Sequence, residues 1–476
     1  MRRALVLLLL AALVAGVVVA VLPSGPGGSG PTAAPVRLTT PLLSVRRVPE
    51  ALVGYRAETR LRASLERVVA DPALARWTAG ACLVVRVGDR TLYARQADLP
   101  VIPASALKLL TAEAAVAVLG AETRLSTVVK ADTAPDGGVV AGDLQVVGGG
   151  DPIIETDGDA ARARRQPVTR TRMEDVAGAV VAAGVRQVTG GVRADESRYD
   201  TERARPGWKP SYQADGQVGP RSALMVDDGQ DPGGKPVGQP ALHFAQVLTD
   251  LLRAAGVQVA GGPSVGAATG RATVAAKESL PVRDLVAQMV RESDNTTAEL
   301  LLKEMGRVAG GAGTSAAGLA AAKEALARKG LDVGPLRAQD GSGLDRADRA
   351  TCSLLLAALV GAGRRSQLAD GLAVAAESGT LKPRFVGSAV AGRLRAKTGS
   401  LDEVSSLVGW VDPRTGTGQQ GAPEGAPPVA FAVVANGVPK DLDAARLADR
   451  VGLALGSWPD APPAAAVDPE PPAPGP

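Results

Sequence analysis

The sequence predicts an α/β protein in which helices pack on an antiparallel sheet, with a strand-rich region inserted into that domain. Three observations predict it. Strand-like runs stand near both ends of the chain, at 81–94 and at 392–436. Helical patterns dominate from about 276 to 365. The middle, 121–275, consists largely of short strand-like runs punctuated by glycine turns, with helical patterns near 172–184 and 241–255. A sheet closed by both ends of the chain, with helices between its strands, buries all of these runs at once. The chain has 476 residues, more than one core usually serves, which suits a domain carrying a large insertion.

The elements follow in order. Arg2-Arg3 precede an unbroken apolar run from Ala4 to Leu22. Positive charge before such a run marks an export signal, and the run is also long enough to be retained as a membrane anchor. Both readings of 1–22 place the remainder outside the cytoplasm. Residues 23–48, rich at first in Pro, Gly, Ser and Thr, read as a flexible linker. Ala81–Val87, the turn Gly88-Asp89 and Thr91–Ala94 read as a β-hairpin. Pro103-Ala104-Ser105 then opens an Ala/Leu-rich helix to about Leu119. Near the C-terminus, strands are expected at 392–398, 404–411 and 429–436, followed by a helix from about Leu442 to Leu455. Thr415–Pro428 reads as a low-complexity loop, and 457–476, with eight prolines, as a disordered tail. On this reading 49–120 and 276–456 form one discontinuous domain and 121–275 is inserted into it.

Composition narrows the chemistry. Aromatic residues are only 2% of the chain, so the core must be built from Ala, Val and Leu. The net charge of +4 is small and dispersed, with no basic cluster interleaved with aromatics, which argues against nucleic acid as a partner. Cys82 and Cys352 lie in apolar segments far apart in sequence and read as two buried thiols rather than a disulfide. No Cys/His cluster with metal-ligand spacing is present, so no metal site is expected. The one histidine, His243, falls in an apolar helical pattern and reads as a core or surface residue. A Ser-His-Asp triad is therefore poorly supported, and serine chemistry in this chain points to a lysine base.

Three short motifs supply that chemistry in a fixed order: Ser105-Ala106-Leu107-Lys108 at a helix start, Ser293-Asp294-Asn295 between two helical patterns, and Lys397-Thr398-Gly399 after a strand-like run. This trio is the known signature of penicillin-binding proteins and class A β-lactamases. A serine and a lysine three apart share one helix face, so the amine can reach the hydroxyl. A serine hydroxyl is a weak nucleophile until a base takes its proton, and a lysine must have its pKa lowered to serve as that base. Burial lowers it, as does nearby positive charge, which Lys397 can supply. The free N–H groups of the helix start favour developing negative charge, so the Ser105 N–H is a natural oxyanion donor. Lys397 and Thr398 can hold a carboxylate, and Gly399 lets a substrate lie close to the strand. Alone, each motif also reads as an ordinary helix cap or turn; their order and their placement on these elements favour the catalytic reading.

Further stretches carry a family resemblance: Gly148-Gly149-Gly150-Asp151-Pro152, Gly219–Leu224, Glu299–Lys303, Asp340-Gly341-Ser342-Gly343-Leu344, Gly379-Thr380-Leu381 and Ala391–Leu401. Over about 50–456 the chain resembles the DacB-type D-alanyl-D-alanine carboxypeptidase/endopeptidases, the class C low-molecular-mass penicillin-binding proteins. The resemblance implies a serine β-lactamase/DD-peptidase-like transpeptidase fold with a strand-rich inserted domain and no cofactor. It implies peptidoglycan stem peptides ending in D-Ala-D-Ala as substrate and β-lactams as covalent inhibitors. It also implies roles: Ser105 as nucleophile, Lys108 as base, Ser293 as proton relay and Asn295 as a holder of the acyl chain. Lys397 and Thr398 would bind the terminal carboxylate, and the Ser105 and Ser400 N–H groups would form the oxyanion hole. Asp195 and Arg346 resemble residues that meet the far end of the peptide, Asp195 at its free amine. Ser105 and Ser293 lie 188 positions apart, short for the family, which implies a reduced insertion. A β-lactamase and a non-catalytic peptidoglycan-sensing module are the alternatives; the long insertion argues against the first and the intact motifs against the second.

Overall fold

Alternation along three central strands organises the larger part of the molecule. A computed structural model describes residues 48–72, 74, 80–162, 169–414, 427–438 and 445–459. In strand Ala81–Val87, Cys82 and Val84 face one core, while Ala81, Leu83, Val85 and Val87 face another. Val404–Val411 and Val429–Asn436 divide in the same way, with Val408, Trp410, Ala432 and Val434 on the first side and Leu407, Val411, Phe431 and Val433 on the second. A strand buried on both faces needs a layer of helix on each, and the chain supplies both. Lys108–Leu119, Val282–Glu292, Asn295–Ala309, Ser315–Arg328 and Cys352–Ala362 cover the first face, and Val48–Val69 with Ala445–Leu455 cover the second.

The sheet has six strands in the order Ala373–Val374, Leu394–Leu401, Val404–Val411, Val429–Asn436, Ala81–Val87, Arg90–Arg95, paired antiparallel throughout. Ala81 pairs with Ala435 and Val87 with Val429, so the first and last strands of the chain lie side by side. The expected sheet closed by both ends of the chain is the one observed. Thr398–Leu401 continue past the short strand Ala373–Val374, whose pairs reach only Ala396 and Arg395, and this leaves one backbone edge of the Lys397-Thr398-Gly399 segment free of a strand partner.

The middle of the chain builds its own sheets and core. Five strands run in the order Ser264–Val265, Val192–Asp195, Leu144–Val147, Arg124–Ala131, Ala272–Pro281. The two longest pair antiparallel with each other, Ala272 with Ala131 and Pro281 with Arg124, so the segment leaves the six-stranded sheet with its helices and returns to it along one ladder. Ala272–Pro281 crosses the expected junction at 275/276, because its hydrogen bonding to Arg124–Ala131 continues to Pro281. Helices Met173–Ala182 and Pro240–Ala254 bury Val176, Val180, Phe244, Leu248 and Leu252 against Val129, Val146 and Val192. The described residues from Pro49 onward pack as one unit.

Three expectations change. Cys82 and Cys352 are joined in a disulfide with Cα atoms 5.8 Å apart, not kept as two thiols. The strand alternation that turns Cys82 toward the helical face brings it to the first turn of Cys352–Ala362, a meeting that a separation of 270 residues conceals in the sequence. The start of the expected tail is ordered: Trp458 is buried in the second core and its Nε1 donates to Pro427 O at 2.9 Å. An unexpected helix, Val48–Val69, occupies the end of the expected linker and the residues after it, seating Val53, Ala57, Leu61 and Leu65 on the sheet at helical spacing. The segment 1–22, most of the linker, Thr415–Ala426 and 460–476 lie outside the described residues. No described helix is long and apolar enough to cross a membrane.

The disulfide closes a loop of 270 residues, and a cross-link of that span restricts the unfolded chain strongly. Replacing both cysteines by alanine should lower the unfolding free energy by about 2–4 kcal/mol. The measurement is the unfolding free energy taken from denaturant midpoint and slope together, because the unlinked chain expands further and its slope should rise; equal free energies for parent and double variant would show that the bond adds nothing.

Candidate active site

Ser105 sits in a tight turn. Ala104 has φ of +48°, rare for a residue with a side chain, and Ala104–Leu107 form a single 3-10 turn that runs directly into the helix Lys108–Leu119. The strain is held by close packing from outside. Gly343 has φ of +82°, and a Cβ there would lie 2.0 Å from Ala104 O, so the 340–344 loop presses its backbone against the turn as only glycine allows. Ser406 Oγ donates to Pro103 O at 2.9 Å and pins the turn to the sheet.

Lys108 is wholly buried one helical turn on. Its Nζ lies 3.0 Å from Ser105 Oγ, 2.5 Å from Asn295 Oδ1 and 2.7 Å from Ser342 O. Burial pushes its pKa down to about 8, against the opposing pull of Asp340, Asp294, Glu299 and Asp348. Of the two sources expected, burial leads the depression. The two cations still interact, and Lys397, also wholly buried, is held well below the usual lysine range by burial first and by the charge of Lys108 second.

Ser293 caps the helix Val282–Glu292 in the left-handed region, at φ 61° and ψ 36°. Asp294 then caps the next helix, accepting from Thr297 N at 3.1 Å and Thr297 Oγ1 at 2.6 Å. The abrupt reversal between the two helices turns Ser293 Oγ toward Lys397 Nζ, 2.9 Å away, while Asn295 enters the second helix facing Lys108. Lys397 Nζ also donates to Thr398 O at 2.6 Å, and Thr398 shares a hydroxyl contact of 2.8 Å with Thr380. A Cβ at Gly399 would stand 2.2 Å from Ser406 Oγ and 3.0 Å from the Ser105 and Ala106 nitrogens, so the strand runs directly beside the Ser105 turn. Ser400 follows it, exposed, on the same strand.

The structure thus brings Ser105, Lys108, Ser293, Asn295, Lys397, Thr398, Gly399 and Ser400 to one place. Arg346 lies at the turn just beyond Leu401, donating to Asp402 O at 2.6 Å with Glu403 Oε2 at 3.6 Å. Asp195 ends a strand of the inserted sheet; its carboxylate accepts from Ser197 N at 2.9 Å and Ala268 N at 2.8 Å, with no hydrogen bond to the serine-lysine group. Sequence reasoning missed the Ser342 carbonyl and Thr380. Both lie in stretches that carried the family resemblance, but a backbone acceptor has no side chain to signal it. Among the described residues, no group of three or more His, Cys, Asp or Glu is arranged to hold a metal ion.

With this geometry in hand, the comparisons with known proteins agree. The family model described as D-Ala-D-Ala carboxypeptidase 3 (S13) matches residues 61–233 and 234–451. The chain is 28% identical to the D-alanyl-D-alanine carboxypeptidase of an Actinomadura species, over 83% of this chain and 85% of that one. It is 30% identical to carboxypeptidase DacB of Mycolicibacterium smegmatis, over 82% of each. The fold resembles the crystal structure of penicillin binding protein 4 (dacB) from Haemophilus influenzae, with a TM-score of 0.66 at 17% identity over 81% of this chain and 97% of that one. By a family match spanning both sides of the insertion and by these relatives, the chain belongs to the D-Ala-D-Ala carboxypeptidase 3 (S13) family, as a serine peptidase of the DacB type.

Proposed function

We propose that Ser105 and Lys108 form the reacting pair of this carboxypeptidase/endopeptidase, acting on peptidoglycan stem peptides that end in D-Ala-D-Ala. One observation carries the assignment: a lysine amine with no solvent exposure lies 3.0 Å from a serine hydroxyl at the start of a turn. A neutral amine has two N–H donors and one lone pair. Asn295 Oδ1 and Ser342 O accept the two donors, which leaves the lone pair for the Ser105 hydroxyl proton.

In this reading Ser105 Oγ attacks the carbonyl carbon of the penultimate D-Ala, and its proton passes to Lys108. The N–H groups of Ser105 and Ser400 hold the resulting oxyanion. Lys397 and Thr398 hold the terminal carboxylate, Gly399 admits the peptide beside the strand, and Asn295 steadies the acyl part. The C–N bond breaks as the departing amine takes a proton through Ser293, and water then hydrolyses the Ser105 ester. Arg346, at the end of the same strand, would meet the far part of the substrate. Asp195 would meet its free amine while keeping its two backbone bonds, for which a carboxylate has lone pairs enough. The catalytic domain is then 49–120 with the chain from Val282 to Trp458, carrying 121–281 as its insertion. The Haemophilus influenzae protein has also been crystallised with a β-lactam, with a TM-score of 0.62, which supports reading β-lactams as covalent inhibitors of this chain. Action on peptidoglycan lies outside the cytoplasm, and the N-terminal run Ala4–Leu22 would export the protein or anchor it there. A binding module without turnover has no use for an amine buried at such cost beside a serine.

A labelled penicillin should bind covalently to the parent and not to Ser105→Ala; full labelling of the variant would place the nucleophile elsewhere. Lys397→Ala should acylate on the order of 100-fold more slowly, as expected for one charge-assisted contact of roughly 3 kcal/mol. Unchanged kinetics would move the carboxylate clamp to another residue.

The pH dependence has a definite sign. Lys108 works as a base only when neutral, so the acylation rate constant should rise with pH along a limb with its midpoint near the lowered pKa of about 8. That midpoint belongs to the coupled pair Lys108 and Lys397. A rate that falls through this range would make protonated Lys108 the working form.

A further inference from the structure

The third partner of Lys108 is a backbone carbonyl, and the groups that place it lie outside the three motifs. Ser342 O projects from the 340–344 loop, which buried side chains hold from below. Glu299 Oε1 accepts from both Gly341 N and Ser342 N at 2.8 Å. Asp340 Oδ1 accepts from Gly343 N at 2.7 Å, and Thr111 Oγ1 donates to Gly341 O at 2.6 Å. Glu299 is fully buried, and its other oxygen lies 3.3 Å from Arg221 Nη1.

Arg221 comes from the inserted region and is itself wholly buried. Its Nη1 also donates to Ser315 Oγ at 2.6 Å, and its Nη2 is 3.1 Å from Glu202 Oε2. The guanidinium carbon stands 5.0 Å from the ring centroid of Trp208, whose Nε1 donates to Asp340 Oδ2 at 2.8 Å. One arginine therefore touches Glu299 directly and Asp340 through Trp208, and these two acids hold the loop that carries Ser342.

We propose that Arg221 and Glu299 are positioning residues: Arg221 keeps Glu299 in place as a carboxylate, and Glu299, through the Gly341 and Ser342 N–H groups, sets the Ser342 carbonyl against Lys108 and so aims the amine at Ser105. The chemistry demands such a device. A free amine rotates, and its lone pair faces the serine only while both of its hydrogens are accepted elsewhere. A buried carboxylate is costly without a partner. Burial and the charge of Asp340 raise the pKa of Glu299, while Arg221, the Ser342 side chain and the Gly341 N–H oppose them. Protonation would replace an acceptor beneath two N–H donors with a group that also donates.

The inference rests on Lys108 being the base, so Lys108→Ala is measured alongside. Acylation by a labelled penicillin is followed across pH, with the folded fraction taken from thermal melts. Glu299→Leu removes the acceptors, and its plateau rate should fall on the order of 100-fold. Glu299→Gln keeps one acceptor without the charge. Its plateau should fall only about 5-fold, and its midpoint should lie below that of the parent, because a negative charge favouring protonated Lys108 is gone. Arg221→Met leaves Glu299 unpaired, and adding Glu299→Gln to it should recover about 10-fold of the lost rate. If Glu299→Leu does not fold, Thr111→Val, which removes only the Gly341 clasp, should be about 5-fold slower. Parent plateau and midpoint in the folded Glu299 variants, parent kinetics in Thr111→Val, or strictly additive effects of Arg221→Met and Glu299→Gln would overturn the proposal. Full activity in Lys108→Ala would instead overturn the assignment of the base, a separate failure.

Discussion

The burial of Lys108 beside Ser105 is the constraint on which the rest of the site depends. An ammonium taken wholly out of water is costly, and the surroundings respond in two ways. Burial moves the group toward its neutral form, with a pKa of about 8, in which it can act as a base. Oxygen acceptors, Asn295 Oδ1 and Ser342 O, then satisfy what hydrogens remain. Lys397, equally buried, meets the same cost plus the repulsion of its neighbour. The acids nearby are strained in the opposite sense: burial raises Glu299 and Asp348 above the ordinary carboxylate range. A proton added or lost at one of these groups is felt by the others.

Two of the eight non-glycine residues with positive φ among the described residues stand in or beside the motif turns. Ser293 and Ala104 both hold positive φ, and each is enforced by neighbours that leave no alternative. Asp294 caps the helix after Ser293 with two hydrogen bonds from Thr297, so the reversal cannot relax without releasing a helix end. Ala104 is trapped between the Gly343 backbone and the clasp of Ser406 on Pro103. A relaxed backbone at either point would swing a hydroxyl away from its lysine.

What the sequence discloses follows from what periodicity can carry. Strands at 404–411 and 429–436 and the helix near 241–255 stand out because each has a repeating apolar pattern, and they appear at Val404–Val411, Val429–Asn436 and Pro240–Ala254. The motif residues stand out because their side chains react or bind. The Cys82–Cys352 bond does not, since it depends on which strand faces which helix across 270 residues. Helix Val48–Val69 is concealed by its many arginines and glutamates, which leave only a narrow buried stripe at Val53, Ala57, Leu61 and Leu65. The Ser342 carbonyl is concealed most completely, because every residue has one.

The helix Asn295–Ala309 shows why an insertion can be large without loosening the site. Positions four apart share a face, and on this helix Asn295, Glu299 and Lys303 follow that spacing. Asn295 accepts from Lys108 and donates to Gln217 O of the inserted region at 2.7 Å. Glu299 holds the 341–342 N–H groups and meets Arg221 of the insertion. Lys303 donates to Asp200 Oδ1 and Glu202 O, also of the insertion, at 2.5 and 3.0 Å. The neighbouring row repeats the pattern: Thr296 Oγ1 accepts from Gly219 N, and Glu304 pairs with Arg198 and accepts from Tyr199 Oη. A single helix thus carries the partner of Lys108 at its first turn and the docking surface of the insertion along the turns that follow. Asn295 and Glu299 each face Lys108 or its loop on one side and the inserted region on the other, so the contacts that dock the insertion and those that surround Lys108 share the same two side chains.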